Sequence, residues 1–232
     1  LLGAGGGGDP YVGKLAAMAA IRDCGPVRLL DVDEVPDDAF VMPSASMGAP
    51  TVLTEKGTGT AVELESLFRN VEKFYGKKVY ATLPAEAGGV NSMLPIVAAA
   101  RMGIPLIDAD GMGRAFPELQ MVTFTIGGVS TTPMAWADEK GNFGILDTIS
   151  NKWAEDIARP ITMACGGSVT IMLFGMDGAK LKECGVSGIV TRSQEIGRAI
   201  RQAKNLAAAE GLTPEQFFLR FTGGHKLFKD RK

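Results

Sequence analysis

At 232 residues, with 46% hydrophobic and 22% charged side chains, the chain is long enough to bury a substantial core and has the composition of an ordinary globular protein rather than a disordered one. Its 24 basic and 26 acidic residues give a formal charge of −2 and are interleaved, which excludes the basic footprint of a nucleic-acid binder or of an anionic-membrane binder. Three widely spaced cysteines, Cys24, Cys165 and Cys184, form no C-x-x-C pair and fit a reducing cytoplasm, and the longest apolar runs, such as 93–100, fall short of a membrane span.

In chain order, five glycines within residues 1–10 lead into a helix over 10–25, with Asp9 as N-cap, Pro10 at the first helical position and Gly25 as the stop. Strands are expected over 27–32 and 39–43. A helix over 61–76 follows, placing Leu64, Leu67, Phe68, Val71 and Tyr75 on one face. The next strand covers 78–84, a helix 92–103 in spite of Pro95, and a further strand 104–110. This alternation predicts an α/β fold, three-layered around a mostly parallel sheet. Near residue 120 the texture changes to a β-rich second half, with strands expected in 121–129, 133–149 and 168–176 and helices near 150–163 and 193–210. Thr213, Pro214 and Gln216 mark the capped start of a last helix. The five methionines Met18, Met93, Met102, Met112 and Met121 read as core filler, and Cys165 as a small buried hydrophobe.

Gly3, Gly5 and Gly8 fit the G-x-G-x-x-G spacing of a dinucleotide cradle, and Asp31 or Asp33 stands a little over twenty residues further on, where a ribose-binding acid belongs. Asp9 argues against a phosphate. Its carboxylate caps the helix end that would receive the pyrophosphate, and it repels a second anion. Residues 5–8 are four consecutive glycines, more than a cradle needs, and they allow a backbone to approach a flat polar ligand or another strand closely.

Ligands of open parallel sheets bind beyond the carboxyl ends of the strands. Four such ends deliver the glycine loop and the stretches 44–50, 84–92 and 108–118, so that Asp9, Ser44, Ser46, Glu86, Asn91, Asp108, Asp110, Arg114 and Glu118 converge on one rim. Crowded carboxylates raise one another's pKa, so Glu86 or Asp110 is the candidate general base. The same acids offer ligands to a divalent metal. Asn91 and Arg114 are candidate donors, and Met112 lies between the loops. His225, the only histidine, builds no Ser-His-Asp triad with its neighbours.

The stretches "LLGAGGGGDPYVGKL", "PAEAGGVNSMLP", "DADGMGRAFPELQM" and "ADEKGN" resemble the signature segments of the S-methyl thiohydantoin desulfurase family, associated with hydantoinase and oxoprolinase proteins. The resemblance implies a single N-terminal domain over 1–232, with the family's β-rich C-terminal domain absent. It also implies hydrolytic removal of methanethiol from a five-membered ring. On that reading Glu86 or Asp110, with Asp108 and Arg114, carries the chemistry. Gly5, Gly6, Gly7, Gly8, Asp9, Ser46, Asn91 and Met112 hold a small cyclic amide. A divalent metal such as zinc is possible by analogy, although no His/Cys ligand set is clustered. Further expected partners are the missing C-terminal domain, a hydantoinase-type protein and a second copy of the chain. Two alternatives remain open at this point: a non-catalytic accessory subunit that binds the ring, and a nucleotide-dependent oxidoreductase.

Overall fold

Asp9 adopts an extended conformation and accepts a 2.8 Å hydrogen bond from the Tyr11 N–H, so the capped helix forms where expected, as α1 (Pro10–Cys24) closed by Gly25 at φ 105°. The computed structural model describes residues 4–56, 61–213 and 216. Parallel pairing is confined to the first part of the chain. There β1 (Leu29–Leu30) pairs with β4 (Leu106–Ile107), Thr82 bridges Leu106, and Ala81 and Pro84 bridge Val41 and Ser44 beside β2 (Phe40–Val41). The stretch expected as a strand over 78–84 contributes only these bridges. The longer ladders are antiparallel: β3 (Ser44–Gly48) on β8 (Ser168–Met172), β8 on β6 (Met134–Ala137), and β6 on β7 (Phe143–Leu146). The physical cause is connection length. Helices α2 (Pro50–Lys56), α3 (Ala61–Tyr75) and α4 (Leu94–Met102) supply crossovers in the first part, whereas β6 and β7 are joined by a tight turn around Gly141 that only an antiparallel pair accepts.

Besides the antiparallel ladders and the missing strand over 78–84, two further expected features differ. Residues 44–48 form a strand inside the sheet rather than a loop beyond it, and 121–129 contains the short helix α5 (Thr123–Ile126), since a brief apolar run does not distinguish helix from strand. After β5 (Ala109–Asp110) and α6 (Asn151–Ala164), the chain runs through β9 (Met176–Asp177), α7 (Gly178–Cys184) and β10 (Val186–Ser187), with β9 antiparallel to β2 and β10 to β5.

Successive residues of β6 alternate between two buried clusters, Met134 and Trp136 on one and Ala135 and Ala137 on the other, as a pleated strand requires. The first cluster takes Phe124 of α5, Ala154 and Ala158 of α6 and Leu181 of α7. The second takes Ala17 and Ala20 of α1, Leu64, Leu67, Phe68 and Val71 of α3, and Val97 and Ala98 of α4. The apolar face read from 61–76 is therefore the buried one. Cys165 is buried, but Met18 and Met121 are exposed and fill no core. From Val190 the chain forms a separate compact unit holding most of α8 (Ile189–Glu210). Beyond it the Thr213 N–H donates to Gln216 Oε1 at 2.9 Å and the Gln216 N–H to Thr213 Oγ1 at 3.2 Å, the reciprocal cap expected there. His225 lies outside the described residues, among which no helix is long and apolar enough to cross a membrane.

Candidate active site

Three loops meet at one rim. The Val90 N–H donates to Gly7 O at 3.3 Å, the Ala115 N–H to Ala4 O at 3.1 Å, and the Gly111 N–H to Ala85 O at 3.1 Å, which ties the glycine loop to 84–92 and 108–118. Glycine at position 8 is a packing requirement. Its φ is +85°, and a Cβ there would lie 2.1 Å from Val90 Cγ2. Gly6 and Gly7 instead line a cavity of about 180 Å³, together with Ser46, Glu86, Asn91, Phe116 and an apolar wall that includes Leu53, Ile171 and Leu173.

Glu86 is the carboxyl group in that wall, with only 8% of the residue exposed. Its Oε1 accepts from Asn91 Nδ2 at 2.8 Å and its Oε2 from the Phe116 N–H at 2.6 Å. Burial pushes its pKa upward, opposed by these two donors. Asn91 is committed to the same frame: its Oδ1 accepts from the Ser46 N–H at 2.8 Å, and its Nδ2 also donates to Ser46 O at 3.2 Å. Its two amide hydrogens are thereby used, so it orients Glu86 against β3 instead of offering a donor to a ligand. The Ser46 hydroxyl, buried at the cavity, has no hydrogen-bond partner.

Asp110 is fully buried and stands outside the cavity wall. Its Oδ1 accepts from the Gly113 N–H at 2.7 Å and the Met112 N–H at 3.1 Å, while Oδ2 has no partner. Burial raises its pKa to about 6; the N–H groups of Gly113, Met112 and Ala87 oppose the rise, and the charge of Glu86 adds to it. The two carboxyl groups are thus electrostatic neighbours, although only Glu86 faces the cavity.

The remaining expected site residues separate. Gly5 and Gly8 do not line the cavity, and Asp9 borders a smaller recess of about 110 Å³ with Val12, Ala16 and Thr54. Asp108 is buried between β4 and β5, with its backbone bonded to Leu30 and Gly188, and is not part of the wall. Arg114 is exposed and does not line the cavity, and Met112 packs against the core. The cation that does line the cavity is Arg159 on α6. In the sequence its spacing from Glu155 reads as an ordinary i,i+4 surface pair, so no signal set it apart. Among the described residues no group of three or more His, Cys, Asp or Glu stands together, and both Glu86 oxygens are already held, so the donors present do not fit a divalent metal such as zinc.

Residues 1–148 match the family model described as S-Me-THD-like, N-terminal domain, and residues 149–231 match S-Me-THD-like, C-terminal domain. The division between the two matches falls just before α6. Sequence of the C-terminal type is present in the chain, where one confined to the N-terminal domain was expected. The chain is also similar to the X-ray crystal structure of a structural-genomics protein from Chromobacterium violaceum, with 29% identity and a TM-score of 0.76 over 87% of this chain. It spans 57% of the length of that protein. No curated protein matches the chain.

Proposed function

Because this chain belongs to the S-Me-THD-like family, we propose that it hydrolyses an S-methyl thiohydantoin or a related hydantoin-like cyclic amide, with Glu86 as general base. The supporting observation is a buried carboxyl group of raised pKa in the wall of a ring-sized cavity, beside a hydroxyl that has no protein partner. A cavity of about 150 Å³ accepts a benzene ring, so about 180 Å³ suits a five-membered ring with a short substituent.

In the reaction, water attacks the ring carbon that bears the methylthio group, and the Glu86 carboxylate takes its proton. Negative charge develops on the adjacent ring nitrogen, where the Ser46 hydroxyl can donate. Collapse of the tetrahedral intermediate breaks the carbon–sulfur bond. The methanethiolate leaves with the proton held by Glu86, so one water is consumed and hydantoin and methanethiol are released. A carboxyl pKa moved toward neutrality suits this exchange. The nucleotide reading has less support, since Asp9 occupies the start of α1 and a Cβ on Gly7 would already lie 2.4 Å from Pro50 Cγ. The cysteine usage supports a cytoplasmic setting. Thiol release from an S-methyl thiohydantoin, followed with a chromogenic thiol reagent, tests the proposal. Glu86→Gln is expected to lower the rate by roughly 10²- to 10⁴-fold, and an undiminished rate in that variant would sink it.

A further inference from the structure

Helix α1 is inverted for a helix that packs only on its own fold. Its inner face is made of small residues: Gly13, Ala17 and Ala20 are buried, and a Cβ on Gly13 would lie 2.9 Å from the Cβ of Met93 at the start of α4. Large apolar residues stand on the outside, with Tyr11 62% exposed, Leu15 and Met18 each 48%, and Val12 and Ile21 exposed as well. At 3.6 residues per turn, Tyr11, Leu15, Met18 and Arg22 form one stripe opposite Gly13, Ala17 and Ala20. The charged residues of α1 are Lys14, Arg22 and Asp23 alone. Helix α3 shows the ordinary arrangement, with Leu64, Leu67, Phe68 and Val71 buried and the charged Glu65, Arg69 and Lys73 exposed. A helix that is apolar all round is covered on both sides.

The outer stripe complements a second copy of itself. When two α1 helices run antiparallel about a twofold axis passing between Ala16 and Ala17, Leu15 meets Met18 of the second copy and Tyr11 meets its Arg22 in the same register. A guanidinium on a tyrosine face is a favourable cation–π contact. The antiparallel arrangement also sets each helix N-terminus beside the other's C-terminus, where the helix dipoles attract. At about 200 Å² for a large side chain, the exposed fractions of the five apolar residues come to about 450 Å² per copy. A symmetric pair therefore covers about 900 Å², close to the roughly 1,000 Å² of a specific interface. With a net charge of −2, two copies repel one another little.

We propose that the outer face of α1 is the interface between two copies of this chain, packed antiparallel with Leu15 on Met18 and Tyr11 on Arg22 of the second copy. The interface is independent of the reaction proposed above. Sedimentation equilibrium of the full chain, from low to high micromolar concentration, is expected to show monomer and dimer in exchange, with a dissociation constant on the order of 10 µM for an interface of this size. Leu15→Glu and Met18→Glu place a charge at its centre and are expected to weaken the dimer by roughly tenfold or more. Both side chains are exposed in the single chain, so the urea midpoint of the monomer stays unchanged. Trp153→Glu, which alters an exposed tryptophan on α6, leaves the dimer intact. Oxidative crosslinking in a Cys24→Ser background reads the orientation. Tyr11→Cys and Arg22→Cys crosslink when mixed but not alone, because like positions lie about 16 Å apart along the helix axis, beyond the reach of a disulfide.

A chain that stays monomeric at every concentration overturns the proposal, and a lowered urea midpoint of Leu15→Glu in such a monomer shows that the chain's own residues cover α1 instead. A dimer that survives Leu15→Glu, that is lost in Trp153→Glu, or that crosslinks through Tyr11→Cys alone overturns it equally.

Discussion

Replacing Asp110 with asparagine should change how stability depends on pH. The carboxyl group is fully buried, and its pKa rises from 3.8 to about 6. About two units at 1.36 kcal/mol each correspond to about 3 kcal/mol. The sign follows from which state holds the proton. Between pH 4 and 6 the folded chain keeps a proton that the unfolded chain releases, so this group's contribution is fully present below pH 4 and is lost as the pH rises through 6. Asparagine is neutral throughout. Its Oδ1 can still accept from Met112 and Gly113, while its amide replaces an oxygen with no partner, at a pH-independent cost of about 1–3 kcal/mol. Urea unfolding of both proteins from pH 4 to 8 measures the difference. The variant should gain about 3 kcal/mol on the wild type across that window, whatever the constant offset. Two stability curves that run parallel would refute the assignment of a raised pKa to this carboxyl.

Other variants test the frame of the site. Gly8→Ala combines a positive φ with a 2.1 Å clash on Val90, and it should destabilise the fold by about 2–5 kcal/mol. In denaturant unfolding, adding Val90→Ala should recover the steric part and leave the backbone part. Asp9→Ala removes the acceptor for the Tyr11 N–H and should cost about 0.5–2 kcal/mol, read as a lower urea midpoint at unchanged slope. Asn91→Ala leaves the backbone N–H and C=O of Ser46 and one oxygen of Glu86 without a partner. It should lose about 2–4 kcal/mol and lower methanethiol release as well, whereas a stable variant with full rate would show that Asn91 does not hold Glu86 in place.

Local signals in the sequence were dependable where one element decides its own structure. The Asp9 cap, the Gly25 stop, the apolar face of 61–76 and the Thr213–Gln216 box all form as the residues dictate. Long-range partners were less legible. Nothing within residues 44–50 indicates that β8, more than a hundred residues later, takes them as an antiparallel strand. Glu86 and Asn91 were legible as a pair because an expected strand end followed by glycines and an amide is a local pattern, and the structure brings both to the cavity wall. Arg114 was the arginine the sequence singled out, and nothing marked Arg159, whose place at the cavity depends on which helix packs beside Pro117. The sequence likewise did not show which of the Glu86 and Asp110 carboxyls faces the cavity.

The cavity takes Glu86 from within 1–148 and Arg159, Ile171 and Leu173 from within 149–231, and β3 finds its antiparallel neighbour β8 across the same divide. Severing the protein at that point would leave a half-shell with the Glu86 carboxyl and without the lining that α6 and β8 supply. The two stretches therefore cannot be swapped as independent modules. A hybrid joining one such half to a foreign partner would have to rebuild the sheet before it could hold any ligand.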